Sequence, residues 1–300
     1  MRQAAAAAAG GQSFPAGALY VVATPIGNLA DLSLRAVHLL GLADAIACED
    51  TRHSATLLRA LGIEGRPLLA LHEHNEREAA AGVIERLAGG ERVAFVSDAG
   101  TPAVSDPGAA LVAAVGAAGH RCIPLPGASA AVTALSVAGD TLGQGFVFQG
   151  FLPARGGERA QALQRLAGEA RTAVLYESPH RIEPLARELA AACGERIVTV
   201  CRELTKQFES VHTLRCDALP AWLGGDANRA RGEFVLVLHA LPAAPGDAAD
   251  AAYDRVLDAL LAALPLKQAV ALAVELTGAP RNALYERALA RRRDTAHDGD

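Results

Sequence analysis

Apolar runs of four or five residues, each closed by a cluster of polar and turn-forming residues, recur along the first half of the chain. Leu19-Tyr20-Val21-Val22-Ala23 runs into Thr24-Pro25-Ile26-Gly27-Asn28-Leu29, and Ala45-Ile46-Ala47-Cys48 into Glu49-Asp50-Thr51-Arg52-His53. Leu68-Leu69-Ala70-Leu71 runs into His72-Glu73-His74-Asn75-Glu76, and Val93-Ala94-Phe95-Val96 into a long loop ending at Gly108. Cys122-Ile123-Pro124-Leu125 ends in Pro126-Gly127-Ala128-Ser129-Ala130. Such short apolar runs, bounded by Gly, Pro, Asn and Asp, read as buried strands. A helical pattern follows each: one capped by Asp31 or Ser33 through Leu40, one to Leu61, one to Leu87, one from Pro107 behind Asp106 to Ala118, and one after Ala130. Five strand-turn-helix repeats predict an α/β lobe with a mostly parallel five-stranded sheet and helices on both faces. Ligands bind such sheets beyond the carboxyl ends of the strands, where all five polar clusters lie. The loop Val96 to Gly108 is the natural ledge, since Gly100 and Gly108 let the backbone approach a ligand closely.

After Gly139 to Gly145 the pattern changes. Phe146-Val147-Phe148, Thr172 to Tyr176, Ile197 to Cys201, Phe208 to Leu214 and Glu233 to His239 read as strands, the fourth alternating as an antiparallel strand does. The expectation is a second lobe with a mixed sheet, whose strand ends carry Gly150-Phe151-Leu152-Pro153, Glu177-Ser178-Pro179-His180-Arg181 and Arg202-Glu203-Leu204-Thr205-Lys206. Leu241 to Asp250 has the composition of a linker. Two helical segments follow, Leu266 to Leu276 and Asn282 to Arg292, joined through Thr277-Gly278-Ala279-Pro280 in the manner of a helix-turn-helix. The resulting division is a disordered tail over 1–17, an α/β lobe over 18–140, a second α/β lobe over 141–240, a linker over 241–251, a small helical appendage over 252–293 and a disordered tail over 294–300.

Composition narrows the chemistry. The net charge of −5 excludes a globally basic nucleic-acid binder, so any RNA contact must use a local patch. The most basic stretch holds Arg281, Arg287, Arg291, Arg292 and Arg293; the only lysines are Lys206 and Lys267. Five scattered cysteines without a CxxC pair fit neither a disulfide framework nor structural zinc, and suit a reducing, cytoplasmic setting. No window reaches the roughly 20 apolar residues of a membrane span. The alanine-rich N-terminus is a poor signal-peptide core. Neither a GxxxxGK[ST] loop nor a GxGxxG after a strand occurs, which disfavours a Walker ATPase and a pyridine-nucleotide enzyme. Gly127-Ala128-Ser129-Ala130-Ala131 lacks the last glycine of a nucleophile elbow. His72-Glu73-His74 has no evident third ligand, so no metal is expected. Proline and glycine turns at strand ends bind mostly through backbone groups. Physics alone therefore reaches a small-molecule-binding enzyme.

Further motifs are more specific. LYVVATPIGNLADLSLRA (Leu19 to Ala36), CEDTRHS (Cys48 to Ser54), LHEHNE (Leu71 to Glu76), VSDAGTPAVSDPG (Val96 to Gly108), PLPGASAAVTALSVAG (Pro124 to Gly139), GFLP, YESPHRI, RELTK and GEFVLV occur in order. With the C-terminal LPLKQAVALAVELTGAPRNALYERAL (Leu264 to Leu289), this set resembles the tetrapyrrole-methylase-type S-adenosylmethionine enzymes. More narrowly, it is similar to the bacterial methyltransferases that modify the ribose 2′-oxygen of a cytidine in 16S ribosomal RNA of the small subunit. The resemblance implies a two-lobed tetrapyrrole-methylase-like fold, a cleft for S-adenosylmethionine between the lobes, and a homodimer. It implies cofactor contacts from Pro25, Asp98, Ala99, Gly100, Val104, Ala128, Ser129 and Ala130, and from Tyr176, Glu177, Leu204, Glu233 and Val235 in the second lobe.

For the transfer, Glu49, Asp50, Asp98 and Glu177 are candidate proton acceptors, and Arg52, Arg181 and Lys206 candidate phosphate holders. The competing reading makes Glu49-Asp50-Arg52 and Glu177-Arg181 structural ion pairs. Lys267, Arg281, Arg287 and Arg291 are the candidate RNA contacts. Two alternatives stay open: methylation of a tetrapyrrole or another small molecule, and a non-enzymatic ribosome-assembly factor.

Overall fold

The structure, a computed structural model, describes residues 1–72, 75–242 and 247–297. The chain forms two compact units, 1–240 and 241–300. In the first, the elements run α1 (Arg2–Ala9), β1 (Ala18–Val22), α2 (Leu34–Leu42), β2 (Ala45–Cys48), α3 (Thr51–Ala60), β3 (Leu68–Ala70), α4 (Glu76–Ala88), β4 (Val93–Val96), α5 (Ala109–Ala117), β5 (Arg121–Leu125) and α6 (Ala130–Ala138). The five strands are wholly parallel, in the order β3-β2-β4-β1-β5. Central strands β2 and β4 are buried at every position, as a doubly covered parallel sheet requires. Leu39, Leu40 and Leu58 cover one face; Leu87, Leu111 and Val115 cover the other.

Two local expectations are corrected here. Residues 1–17 are not a disordered tail throughout: α1 packs on α2 with Ala5 and Ala9 buried, and Arg2 Nη1 donates to the Gly62 carbonyl at 2.9 Å. Six consecutive alanines are the best helix formers and small enough for close packing. Second, α5 begins at Ala109 and not at Pro107. Gly108 precedes it at φ 124°, a conformation that favours glycine, and its N–H donates to Glu76 Oε1 at 2.6 Å. A tertiary contact from α4 thus replaces the cap expected from Asp106. At the other local choice, Ser33 is the side chain that caps α2, accepting from the Ala36 N–H at 3.1 Å.

The second half adds β6 (Phe146–Phe151), α7 (Gly156–Gly168), β7 (Thr172–Glu177), α8 (Ile182–Cys193), β8 (Ile197–Arg202), β9 (Ser210–Arg215), α9 (Leu219–Gly224) and β10 (Phe234–Leu238). Their sheet has the order β6-β7-β10-β8-β9, with β6 and β7 parallel and the other pairs antiparallel. Leu166, Leu185, Leu189 and Leu223 cover one face. The opposite face is covered by α6, whose Ala131, Ala134 and Ala138 pack on Val174, Cys201, Val235 and Val237. A helix read from the sequence as closing the first lobe therefore lies on the second sheet, because its alanines allow close approach. Arg196, only 4% exposed, secures the far end of this sheet by donating to the carbonyls of His239 (2.7 Å), Arg171 (2.8 Å) and Leu166 (3.0 Å).

The second unit contains α10 (Asp247–Leu261), α11 (Leu266–Thr277) and α12 (Arg281–His297), packed about Leu257, Val270, Ala273, Leu284 and Ala288. Helix α10 begins inside the stretch expected to be a linker, of which residues 243–246 lie outside the described residues. It supplies a third helix beside the two that were expected. The chain stays helical to His297, past residue 293, and residues 298–300 lie outside the described residues. Gly278, at φ 68°, ends α11 in the left-handed conformation.

Candidate active site

The loops after the first-lobe strands are laced together at the carboxyl edge. Thr24 and Gly100 exchange backbone hydrogen bonds of 2.9 and 3.1 Å, joining the turns after β1 and β4. Thr101 Oγ1 donates to the Ala128 carbonyl at 3.0 Å, adding the turn after β5. The Asp50 N–H donates to Asp98 Oδ1 at 3.1 Å, adding the turn after β2. The ledge is thus held by backbone and hydroxyl groups, as its Pro- and Gly-rich sequence suggests.

The second lobe offers its own wall. Since β10 runs antiparallel to β7 and β8, its start lies beside their ends: Phe234 pairs with both Glu177 and Arg202. Tyr176 Oη accepts from the Ala131 N–H at 3.1 Å, and burial pushes its phenol above the ordinary range. Glu177, with a side chain 0% exposed, faces Arg181: Nε lies 3.1 Å from Oε1, without the alignment of a hydrogen bond. Ser178 N donates to the same oxygen at 2.9 Å, whereas Oε2 is buried with no partner. The turn after β8 is unusual, with Glu203 at φ 52° and Thr205 at φ 66°. Lys206 Nζ donates to Glu203 Oε1 (2.9 Å) and Glu233 Oε2 (2.8 Å). Burial works against the Lys206 charge, but these two carboxylates outweigh it and raise its pKa. Two non-glycine residues in the left-handed region within one turn mark a segment held by its surroundings.

Between the walls lies a cleft of about 370 Å³. Of the residues expected at the cofactor, Ala99, Gly100, Val104, Ser129 and Ala130 line it from the first wall. Tyr176, Glu177, Leu204, Glu233 and Val235 line it from the second. Pro25, Asp98 and Ala128 are not on its lining; Asp98 and Ala128 serve the lacing just described.

The charged candidates divide sharply. Glu177 and Lys206 line the cleft; Glu49, Asp50, Arg52, Asp98 and Arg181 do not. Arg52 is 90% exposed and clasps Asp50 at 2.6 Å, which holds the Asp50 carboxyl well below its usual range. Arg181 donates to the Leu152 carbonyl at 2.5 Å as well as facing Glu177, so it ties β7 to the GFLP turn. Both arginines are thus engaged with a carboxylate in the structure. Glu49 has its carboxyl raised by burial, then by the charges of Asp106 and Asp98. Arg287 pairs with Asp254 at 3.0 Å, and Arg291 with Asp254 at 3.0 Å and with Asp258; both fasten α12 to α10 and are not a free basic patch. Lys267 and Arg281 are exposed. Glu73 and His74 of the metal-like triplet lie outside the described residues, as do the side chains of Arg292 and Arg293; among those described, no cluster of three His, Cys, Asp or Glu is placed to hold a metal ion.

Sequence reasoning missed Asp106, Phe151 and Cys201 as lining residues. Asp106 reads as a helix cap, and Cys201 as core, which it also is, with its thiol pushed up to about 12 by burial. Phe151 is 54% exposed at the end of β6, edge-on to Tyr176 with ring centroids 5.7 Å apart. An aromatic residue after a glycine at a strand end, in a chain only 4% aromatic, was a signal available in the sequence.

This geometry meets known proteins at two levels. The Tetrapyrrole (Corrin/Porphyrin) Methylases family matches residues 18–220, and the RsmI C-terminal HTH domain matches residues 247–292. The chain belongs to the tetrapyrrole methylase family. Within the family it is similar to "Ribosomal RNA small subunit methyltransferase I" of Pseudomonas aeruginosa, 49% identical over 92% of this chain and 98% of that protein. The protein of that name from Xylella fastidiosa is 50% identical over 90% and 98%, and the one from Escherichia coli O157:H7 47% identical over 91% and 95%. Among solved structures, cobalt precorrin-4 methyltransferase superposes with a TM-score of 0.58 at 19% identity, covering 76% of this chain and 98% of that one. Uroporphyrin-III-C-methyltransferase from Thermus thermophilus gives 0.53 at 23% identity, covering 74% and 94%. These two likenesses establish the fold alone. Among the described residues, no helix is long and apolar enough to cross a membrane.

Proposed function

We propose that this chain is an S-adenosylmethionine-dependent methyltransferase acting on the ribose 2′-oxygen of a cytidine in 16S ribosomal RNA of the small subunit. The observation that carries the reading is similarity along nearly the whole chain, C-terminal helices included, to proteins named for small-subunit ribosomal RNA methylation. The proposal extends to a cytoplasmic protein, which its five unpaired thiols suit, and to a homodimer, which the family resemblance implies.

The cleft fits the cofactor chemically. Val104, Leu204 and Val235 offer apolar surface for an adenine ring. Gly100 and Ala130 bring backbone to the cleft, and the orphaned, buried Glu177 Oε2 is an acceptor awaiting a ligand hydroxyl or ammonium. When bound, S-adenosylmethionine supplies a methyl group already activated on a sulfonium. The work left to the protein is alignment and desolvation. Two walls held by the laced loops and by the Glu203–Lys206–Glu233 bridge would provide the alignment. Lys206, kept protonated by its two carboxylates, is no proton acceptor; as Glu233 is 78% exposed, the ammonium can exchange that partner for an RNA phosphate. Phe151 at the mouth suits stacking of an unpaired base, the usual way an enzyme holds a nucleotide drawn out of RNA. Lys267 and Arg281 are the remaining candidates for RNA contact in the second unit.

The test offers small ribosomal subunits from a strain lacking this gene, and free tetrapyrroles in parallel, with methyl-labelled cofactor. Label in ribosomal RNA supports the reading. Label only in the tetrapyrroles, or none in either with cofactor binding intact, overturns it.

A further inference from the structure

Three carboxylates line the cleft: Asp106, Glu177 and Glu233. They differ in their partners. Glu233 is bound by the Lys206 ammonium at 2.8 Å, and Glu177 faces the Arg181 guanidinium at 3.1 Å while accepting from Ser178 N. Both carboxylates are thus already engaged by a cation. Among the described residues, no cation is paired with Asp106. Its charged neighbours are acids, Asp98 and Glu49; the Ser97 hydroxyl lies nearby and the Tyr176 phenol faces it across the cleft. The backbone that follows it is also constrained. Pro107 follows it with a fixed φ, and Gly108 is clamped between the Glu76 carboxylate and the Phe95 ring.

We propose that Asp106 is the catalytic proton acceptor for the hydroxyl group that is methylated. The inference rests on the methyltransferase reading above. As the hydroxyl oxygen forms its bond to carbon, the carbon–sulfur bond opens and sulfur keeps the electron pair. The hydroxyl proton passes to an Asp106 carboxylate oxygen. The products are a neutral methyl ether, a neutral thioether and a neutral carboxylic acid, so one positive and one negative charge are lost together. Burial, then the Asp98 charge, hold the Asp106 carboxyl above the ordinary aspartate range, offset only in part by Ser97. That shift favours proton acceptance. The groups facing it are Ser97, Asp98 and Glu49 from its own lobe, and Tyr176, with Glu177 and Lys206 on the second wall.

The test compares wild type with Asp106→Asn and Asp106→Glu. For Asp106→Asn, kcat on small subunits is expected to fall at least ~10²-fold with KM within about threefold, the usual range for losing a proton acceptor. Asp106→Glu should recover part of that loss. Calorimetric affinity for S-adenosylhomocysteine should be unchanged within about threefold in both. Carboxyl carbon NMR of the free protein should contain one aspartate resonance that titrates above the ordinary range and is missing from Asp106→Asn. A kcat within about fivefold of wild type in Asp106→Asn, or titration of this carboxyl at or below the ordinary range, overturns the proposal. Failure of wild type to methylate subunits would instead overturn the functional reading, and the NMR titration still tests the carboxyl independently.

Discussion

Gly27, in the turn after β1, packs directly against the Leu204–Lys206 turn of the opposite wall, and replacing it by alanine tests whether the spacing of the walls matters. A Cβ there would lie 2.4 Å from Lys206 Cγ, 3.0 Å from Thr205 Oγ1 and 3.1 Å from the Leu204 carbonyl oxygen. Carbon–carbon contacts settle at about 3.5–4.0 Å, so the lysine stem must retreat by about 1 Å. It cannot simply swing aside. Its ammonium is held by Glu203 and Glu233, and the turn already carries Glu203 and Thr205 in left-handed conformations. The whole turn must move, carrying the cleft-lining Leu204 with it. Displacement of a positioning group by about 1 Å lowers rates on the order of 10²-fold, and overpacking costs about 1–3 kcal/mol. The expected result for Gly27→Ala is a kcat on small subunits about 100-fold down, with a thermal midpoint lowered by a few degrees and weaker binding of S-adenosylhomocysteine. A rate within about threefold of wild type, with affinity unchanged, would show that the wall-to-wall contact has no part in catalysis.

Four further outcomes are expected. Gly108→Ala would place a Cβ 2.2 Å from Phe95 Cζ at φ 124° and should cost about 2–5 kcal/mol in urea unfolding of the full chain. Arg196→Met leaves three carbonyls at the far end of the second sheet without their donor and should cost more than about 3 kcal/mol; a loss under about 1 kcal/mol contradicts the account. Glu49 binds its proton more tightly folded than unfolded, so it opposes folding at neutral pH, and that opposition fades as pH falls from the raised folded value toward the ordinary glutamate range. Glu49→Gln should therefore raise the melting temperature at pH 7.5 and have little effect near pH 4. Reversing Lys267 and Arg281 to glutamate should weaken subunit binding and flatten its salt dependence by about two in log–log slope, whereas an unchanged slope removes these residues from RNA contact.

How far the sequence could be read depended on whether the deciding contacts were local. The first sheet was legible because each strand is a short apolar run closed by its own turn, and parallel order follows from the intervening helices. The second sheet was legible as mixed from the alternation in β9. The placement of α6 was not, since an alanine-rich helix carries no mark of which sheet its small face will meet. Helix α1 was misread for a related reason: a run of alanine has little hydrophobicity to announce packing, yet Ala5 and Ala9 are buried. At the site, backbone-facing positions such as Gly100 and Ala130 were accessible from motif and turn chemistry. Charged positions were less so, because Asp50, Arg181, Arg287 and Arg291 look alike in sequence whether they face a ligand or a neighbouring chain segment. Asp106 was hidden by a contact from Glu76, thirty residues away in the chain, that took over the helix start and left its carboxylate on the cleft.

The most direct test of the functional account is the identity of the methylated nucleoside. Small subunits from a strain lacking the gene would be treated with the protein and methyl-labelled S-adenosylmethionine, and the ribosomal RNA digested to nucleosides for mass spectrometry. The account predicts label in 2′-O-methylcytidine, with the added mass on the ribose fragment. Label on a base fragment, or on another nucleoside, would contradict it.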